Sequence, residues 1–370
     1  IDWQYFLESN NNFFLALVLA PVFIAGSLAG LSPLASGILF NLAAIDLSVL
    51  LLWAAARRRW GEKWALAAAL ACFCCAGLWL YGPIFYTDTL SMPFVSLDLY
   101  LAQRWSEGER PPWLAAALGL AAFLAFRLKP TAFCLYLALA LLWLLRRGGA
   151  LRAAALGLAV FAVCMAGWQV WLGHNPVLDT GPIEKYRLPP LHYVMMGLKN
   201  PGGYDEADHL ASQALPDAAA RTAHAKEEIA RRLADYGPLG FLDHLRQKLA
   251  YTWADGSYFG GHKLGIDPVA PGALQQWVAD TGAHWPAFQR LVNAQQLLIC
   301  LGLAVCAFDQ ARRGEKADGL LWAALVALLG AGVFLLVWET RSRYLVGLLP
   351  LILCAAARGL GALPGLRPKK

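Results

Sequence analysis

Residues 34–60 read LASGILFNLAAIDLSVLLLWAAARRRW, a long apolar run interrupted by one acid, Asp46, and closed by Arg57, Arg58, Arg59 and Trp60. A helix needs about 20 apolar residues to cross a hydrocarbon core of roughly 30 Å. A basic cluster directly after such a run marks the cytoplasmic side. Runs of this kind recur at 13–31, 63–84, 89–103, 112–128, 130–145, 153–173, 291–308, 319–338 and 343–360. The composition agrees, with 58% apolar and 15% charged residues, against about 45–50% and about 25% in soluble domains. An outer-membrane barrel is excluded, because its strands would alternate in polarity. The sequence therefore predicts an all-α polytopic membrane protein: a transmembrane region over 1–173, a soluble segment over 174–290 and a second transmembrane region over 291–370.

Lys and Arg set the sidedness. One set of loops and the C-terminal tail carry 16 of them: Arg57, Arg58, Arg59, Lys63, Arg104, Arg110, Arg146, Arg147, Arg152, Arg312, Arg313, Lys316, Arg358, Arg367, Lys369 and Lys370. The alternate short loops carry four, namely Arg127, Lys129, Arg341 and Arg343. This asymmetry predicts a cytoplasmic C-terminus and an external 174–290 segment in a cell (plasma or inner) membrane. That segment holds all seven histidines and none of the eight cysteines, so disulfides do not hold it. Asp217 followed by an Ala/Glu/Arg-rich run to Tyr236 reads as a capped helix, and Gly237-Pro238 closes it and opens a second helix to Trp253. Ile229, Leu233 and Tyr236 recur at helical spacing, which predicts a face packed on the membrane region. Asp46 and Asp98, inside spans, are expected to pair between helices. The formal charge of +6 shows no basic stripe with interleaved aromatics, so no nucleic-acid partner is expected. The chain opens on Ile1-Asp2-Trp3 without Met, so its beginning is expected to be missing.

Ions that break the sidedness rule carry the functional signal. They are Asp88 in YTDT, Arg127 and Lys129 in FRLKP, and Glu339, Arg341, Arg343 and Tyr344 in WETRSRY. Snorkelling anchors are the plain alternative, but anchoring cations favour the opposite face. Guanidinium and ammonium groups hold a lipid phosphate, and a neighbouring carboxylate takes a proton from an attacking hydroxyl or holds a metal. Together they describe group transfer from a phosphate-linked lipid. No Walker loop or GxGxxG is present, so no nucleotide cofactor is expected.

Several stretches resemble the GT-C superfamily of integral-membrane glycosyltransferases, especially bacterial relatives of protein O-mannosyltransferases and aminoarabinose transferases. They are residues 40–62, Tyr86 to Phe94, Leu124 to Ala132 with Lys129-Pro130-Thr131, Glu339 to Leu345 running on to Pro350, and Leu188 to Leu198 with Gly202-Gly203-Tyr204. The resemblance implies a GT-C-type helical bundle and inverting sugar transfer from a polyprenyl-phosphate carrier among membrane lipids to an envelope acceptor on the external face. It often implies a divalent metal such as Mg or Mn. It also places the principal carboxylate in the first external loop, where this chain offers only Asp2 and Glu8. Asp88 is then the remaining candidate as catalytic group or metal ligand. Arg127, Lys129, Arg341 and Arg343 are candidates for donor phosphate, and His192, Tyr344 and Glu339 for substrate contact. A transporter or flippase of lipid-linked glycans, or a ligase of them, would use the same cations.

Overall fold

A computed structural model describes residues 3–8, 10–109, 111–145, 150–175, 186–268 and 272–363. These described residues form helices and no strand. Short α1 (Trp3–Glu8) leads into α2 (Asn10–Leu28), α3 (Pro33–Trp60), α4 (Glu62–Cys74) and α5 (Ala76–Trp79). Next come α6 (Thr87–Leu90), α7 (Met92–Ser106), α8 (Pro112–Leu128), α9 (Cys134–Leu145) and α10 (Ala150–His174). The polar segment contributes α11 (Pro190–Gly197), α12 (Glu206–Gln213), α13 (Ala218–Trp253), α14 (Gly260–Gly265) and α15 (Gln275–Val278). The chain then returns through α16 (Trp285–Arg313), α17 (Gly319–Val337) and α18 (Leu349–Ala362). Five stretches, α3, α10, α16, α17 and residues 342–362, are long and apolar enough to cross a bilayer, and three shorter apolar helices accompany them. The protein is a multi-pass membrane protein.

Small residues let the helices approach closely where there is no hydrophobic drive between them. A Cβ on Gly359 of α18 would lie 1.9 Å from the Gly302 carbonyl of α16, and one on Gly119 of α8 would lie 2.1 Å from the Gly157 carbonyl of α10. Buried hydroxyls add a link between α3 and α7, where Ser48 and Ser96 meet at 2.8 Å.

One end of the bundle gathers the basic loops and pairs them. Arg58 reaches Glu107 at 2.5 Å and Glu109 at 2.6 Å. Arg59 and the Trp60 indole both donate to Asp318 at 2.8 Å. Asp318 also caps α17 by accepting from the Leu320 and Leu321 amides.

At the other end long α-helix gives way to turns, a single helical turn and 3-10 backbone at 80–91, 129–133 and 338–348. Irregular backbone at membrane depth is tolerated where protein buries it or it lines a cavity. Asn41 on α3 shows how: its amide donates to the carbonyls of Tyr81 at 2.7 Å and Gly82 at 2.8 Å.

Three expectations meet different outcomes. The run 63–84 is not one helix, since Cys75 is extended (φ −75, ψ 99). Gln295 of α16 repairs that break by accepting from the Ala76 amide at 3.0 Å and donating to the Cys74 carbonyl at 2.6 Å. Asp98, 1% exposed, has no hydrogen-bond partner on either carboxylate oxygen among the described residues. In the polar segment α13 is capped by Asp217 and broken at Gly237 (φ 57), as the sequence indicates. Its first half packs on α11 rather than on the membrane helices: Tyr236 donates to the Leu198 carbonyl at 2.9 Å, and Leu233 remains exposed. The second half reaches the membrane region, where Thr252 meets Thr340 at 2.8 Å.

Candidate active site

The three irregular stretches converge. Asp88 lies in the single turn α6, whose cap is Tyr86 rather than Asp88, so the carboxylate is free to turn inward. Lys129 follows α8, and the proline after it disfavours helical backbone at Lys129. Its backbone is accordingly extended (φ −146, ψ 107), which swings the side chain off the helix. The Lys129 ammonium donates to Asp88, with side-chain exposures of 10% and 2%. It also lies 4.1 Å from the Tyr344 ring centroid. The Tyr344 hydroxyl donates to Glu339 at 2.8 Å.

Arg341 is extended (φ −151, ψ 155) and Ser342 opens a 3-10 turn, so the two arginines diverge. The Arg343 guanidinium stands 5.6 Å from the Tyr86 ring and 5.3 Å from the Tyr344 ring. Arg341 stands 4.5 Å from the Phe259 ring and 5.9 Å from Tyr204. The Nε of each guanidinium is buried and has no partner among the described residues. A cavity of about 250 Å³ opens between Asp88, Arg343, Tyr81, Tyr86 and Lys263. At Pro83, Ile84 and Lys263 it borders a wider groove of about 760 Å³, walled largely by apolar side chains including Leu34, Ile38, Leu80, Ile266 and Leu274.

Asp88, Lys129, Glu339, Arg343 and Tyr344 thus form one cluster, with Arg341 at its edge. Two expected residues stand elsewhere. Arg127 turns the other way, 4.7 Å from the Trp168 ring and 5.8 Å from Phe14. His192 has no exposed surface, and its Nδ1 bonds the Ser212 hydroxyl at 2.8 Å inside the polar segment. Burial, with a smaller push from His209, pulls its pKa down to about 4. A side chain enclosed in this way is out of reach of a substrate in the cavity. Asp2 lies outside the described residues, as does the side chain of Glu8.

Sequence reasoning missed the polar segment's share of the site. Asp255 accepts from the Ser257 amide and the Phe259 amide, and from the Ser342 hydroxyl at 2.7 Å. It thereby stabilises left-handed backbone at Tyr258 (φ 52) and Phe259 (φ 65) and ties that turn between the two arginines. Lys263 follows on α14, its pKa lowered by burial and by the Arg343 charge. Behind Glu339, the fully buried Lys248 donates to the Gly197 carbonyl at 2.7 Å. Burial brings its pKa down to about 8 against the opposing pull of Glu339. The Asp-Gly-Ser turn at 255–257 is visible in the sequence; its approach to residue 342, 85 or more positions on, is not.

Among the described residues no three His, Cys, Asp or Glu side chains gather as a metal site. Asp88 already has an ammonium group against it. The residues described do not fit a divalent cation.

A family model described as "conserved hypothetical integral membrane protein" matches residues 3–360. The chain belongs to that family. No match was found among the curated proteins. Among solved structures, the chain is similar to ArnT from Cupriavidus metallidurans, crystallised bound to undecaprenyl phosphate, at 16% identity and a TM-score of 0.37. The match covers 92% of this chain and 66% of that one, so this family member spans just under two thirds of the length of that protein.

Proposed function

We propose that the protein is a GT-C-type glycosyltransferase that moves a sugar from a polyprenyl-phosphate carrier to an envelope acceptor on the external face of the inner membrane. The observation that carries this reading is the 250 Å³ cavity: Asp88 and Arg343 line it, with Lys129 paired to Asp88 behind the wall, and it borders an apolar groove suited to a lipid. Arg343 holds the donor phosphate, with Lys129 and Arg341 adding positive potential and Lys263 closing the far wall. Preorganised cations of this kind are worth most where charge develops on a leaving group. Glu339 and Tyr344 hold Lys129 in place from behind.

In the reaction, an acceptor hydroxyl attacks the anomeric carbon and a new glycosidic bond forms. The bond from that carbon to the phosphate oxygen breaks, and its electron pair leaves with the lipid phosphate. The hydroxyl proton passes to a carboxylate. Asp88 takes that role here, with Asp2 and Glu8 as the other carboxylates the sequence offers. The Lys129 ammonium fixes the Asp88 carboxylate by its hydrogen bond, which suits a group that orients the hydroxyl as it accepts the proton. No step runs through a metal.

The test is sugar transfer by the purified full-length protein from a polyprenyl-phosphate sugar to a cell-envelope extract. Asp88→Asn and Arg343→Ala are each expected to lower turnover by about 100-fold or more. Full turnover in both variants removes the assignment.

A further inference from the structure

Asp46 sits midway along the 28 residues of α3 and is exposed on the outer side of that helix. No hydrogen bond or ion pair reaches it from the described residues. It lines a groove of about 530 Å³ with Val49, Ala69, Phe73 and Trp79 among its walls; Trp79 also walls the wider apolar groove beside the candidate active site, but no residue of the 250 Å³ cavity lines this one. The break at Cys75 shapes this groove. Trp79 folds back there, its indole donating to the Phe73 carbonyl at 2.6 Å, and the two rings meet edge to face at 5.4 Å. Both rings are largely exposed, at 61% and 66%. The result is a preformed aromatic-walled slot with a carboxyl group on its side, at mid-length of a helix long and apolar enough to cross a bilayer.

An acid at that depth ordinarily faces the bundle interior or a water-filled cavity, or is paired. Asp46 does none of these. We propose that this groove docks a transmembrane helix of another membrane protein that carries Lys or Arg at mid-depth. Charge complementarity selects this occupant. An acyl chain would leave the carboxyl group without a partner. A second copy packed through this groove about a twofold axis brings a second carboxyl group to the same level rather than a cation. Nor has a second copy a cation to offer at this level, since the Lys and Arg residues of the apolar runs, such as Arg127, Arg343 and Arg358, stand at run ends and none at a run's middle. A basic side chain entering the slot meets Asp46 while its helix packs against Phe73 and Trp79. Interhelical packing and polar contacts of this kind are what join helices in a membrane.

The experiment uses the full chain, donor-labelled, in phosphatidylcholine vesicles. Two acceptor-labelled synthetic transmembrane peptides are added, polyleucine with one central Lys and the same peptide with Leu in its place. Energy transfer is expected to the Lys peptide at concentrations at least ten-fold below those needed with the Leu peptide. Asp46→Asn is expected to abolish that difference and Asp46→Glu to keep it, which separates loss of charge from loss of fold. Equal binding of both peptides to wild type, or an unchanged preference in Asp46→Asn, overturns the proposal. So does self-association of the wild-type chain that Asp46→Asn removes, because the occupant is then a second copy. Sugar transfer by Asp46→Asn should equal wild type, so this proposal and the proposed activity fail independently.

Discussion

The Asp88–Lys129 pair allows a test that separates anchoring from function. Both side chains are enclosed, and among the described residues the lysine has only Asp88 as hydrogen-bond acceptor while it stacks on Tyr344. Removing one member of a buried pair leaves an uncompensated charge and costs about 3–5 kcal/mol. The two single variants should differ. Asp88→Leu strands two cations, Lys129 and Arg343, and belongs at the upper end, about 5 kcal/mol. Lys129→Met leaves Asp88 still facing Arg343, so about 3 kcal/mol is expected, part of it the lost cation–π contact. The double variant removes both charges but leaves Arg343 without its carboxylate. It should fall within about 2 kcal/mol of wild type, since buried pairs often exchange for apolar residues at little cost. The assay is unfolding of the purified full-length protein in detergent, read by circular dichroism across the four members of the cycle. A double variant destabilised by the sum of the singles would refute the pairing. Sugar transfer measured on the same four samples should be lost in all three variants, including the stable double variant. A double variant that retains turnover would make the pair an anchor only.

Two tests concern pH. His192, with its pKa near 4 in the fold and about 6.5 when unfolded, binds fewer protons folded than unfolded across that interval. Stability should therefore fall by up to about 3 kcal/mol as pH drops from about 6.5 to 4, and His192→Gln should flatten that limb of the thermal-melt profile. Lys248, near 8 in the fold against about 10.5 unfolded, also binds fewer protons when folded. Its contribution should make the protein more stable as pH rises from about 8 to 10.5, and Lys248→Met should reduce that slope. A third test is steric. Gly359→Ala places a methyl group 1.9 Å from the Gly302 carbonyl and should cost about 1–3 kcal/mol or more, whereas Gly167→Ala, with nothing within 4 Å, should cost nothing measurable.

How far the sequence carries depends on how local the signal is. The apolar run of α3 closed by Arg57–Arg59 and the turn of α13 at Gly237-Pro238 are written in adjacent residues, and both elements stand where those residues put them. Lys129 was legible as a cation on the less basic side at the start of a span, whereas the extended backbone that turns it inward emerges from the structure. The convergence of Asp88, Lys129 and Arg343 was legible as charges that break the sidedness rule. Asp255 and Lys263 were not, because nothing local marks an acid and a lysine of a soluble segment as neighbours of membrane loops. Periodicity also misplaced the Tyr236 face, since an apolar stripe says that a face is buried but not against what. For Asp46 and Asp98 the expectation of paired acids followed from the cost of a bare carboxyl in hydrocarbon. Asp98 is enclosed with no partner among the described residues, and Asp46 faces outward into a groove that it lines.

The account rests on Arg343 and its neighbours holding a lipid phosphate, and equilibrium binding of radiolabelled undecaprenyl phosphate to the detergent-solubilised full chain tests that most directly. Saturable binding is expected, weakened ten-fold or more by Arg343→Ala and unchanged by Arg358→Ala, whose guanidinium sits 4.0 Å from the Trp64 ring at the opposite, paired end of the bundle. Binding that is absent in wild type, or that survives intact in Arg343→Ala, contradicts the account.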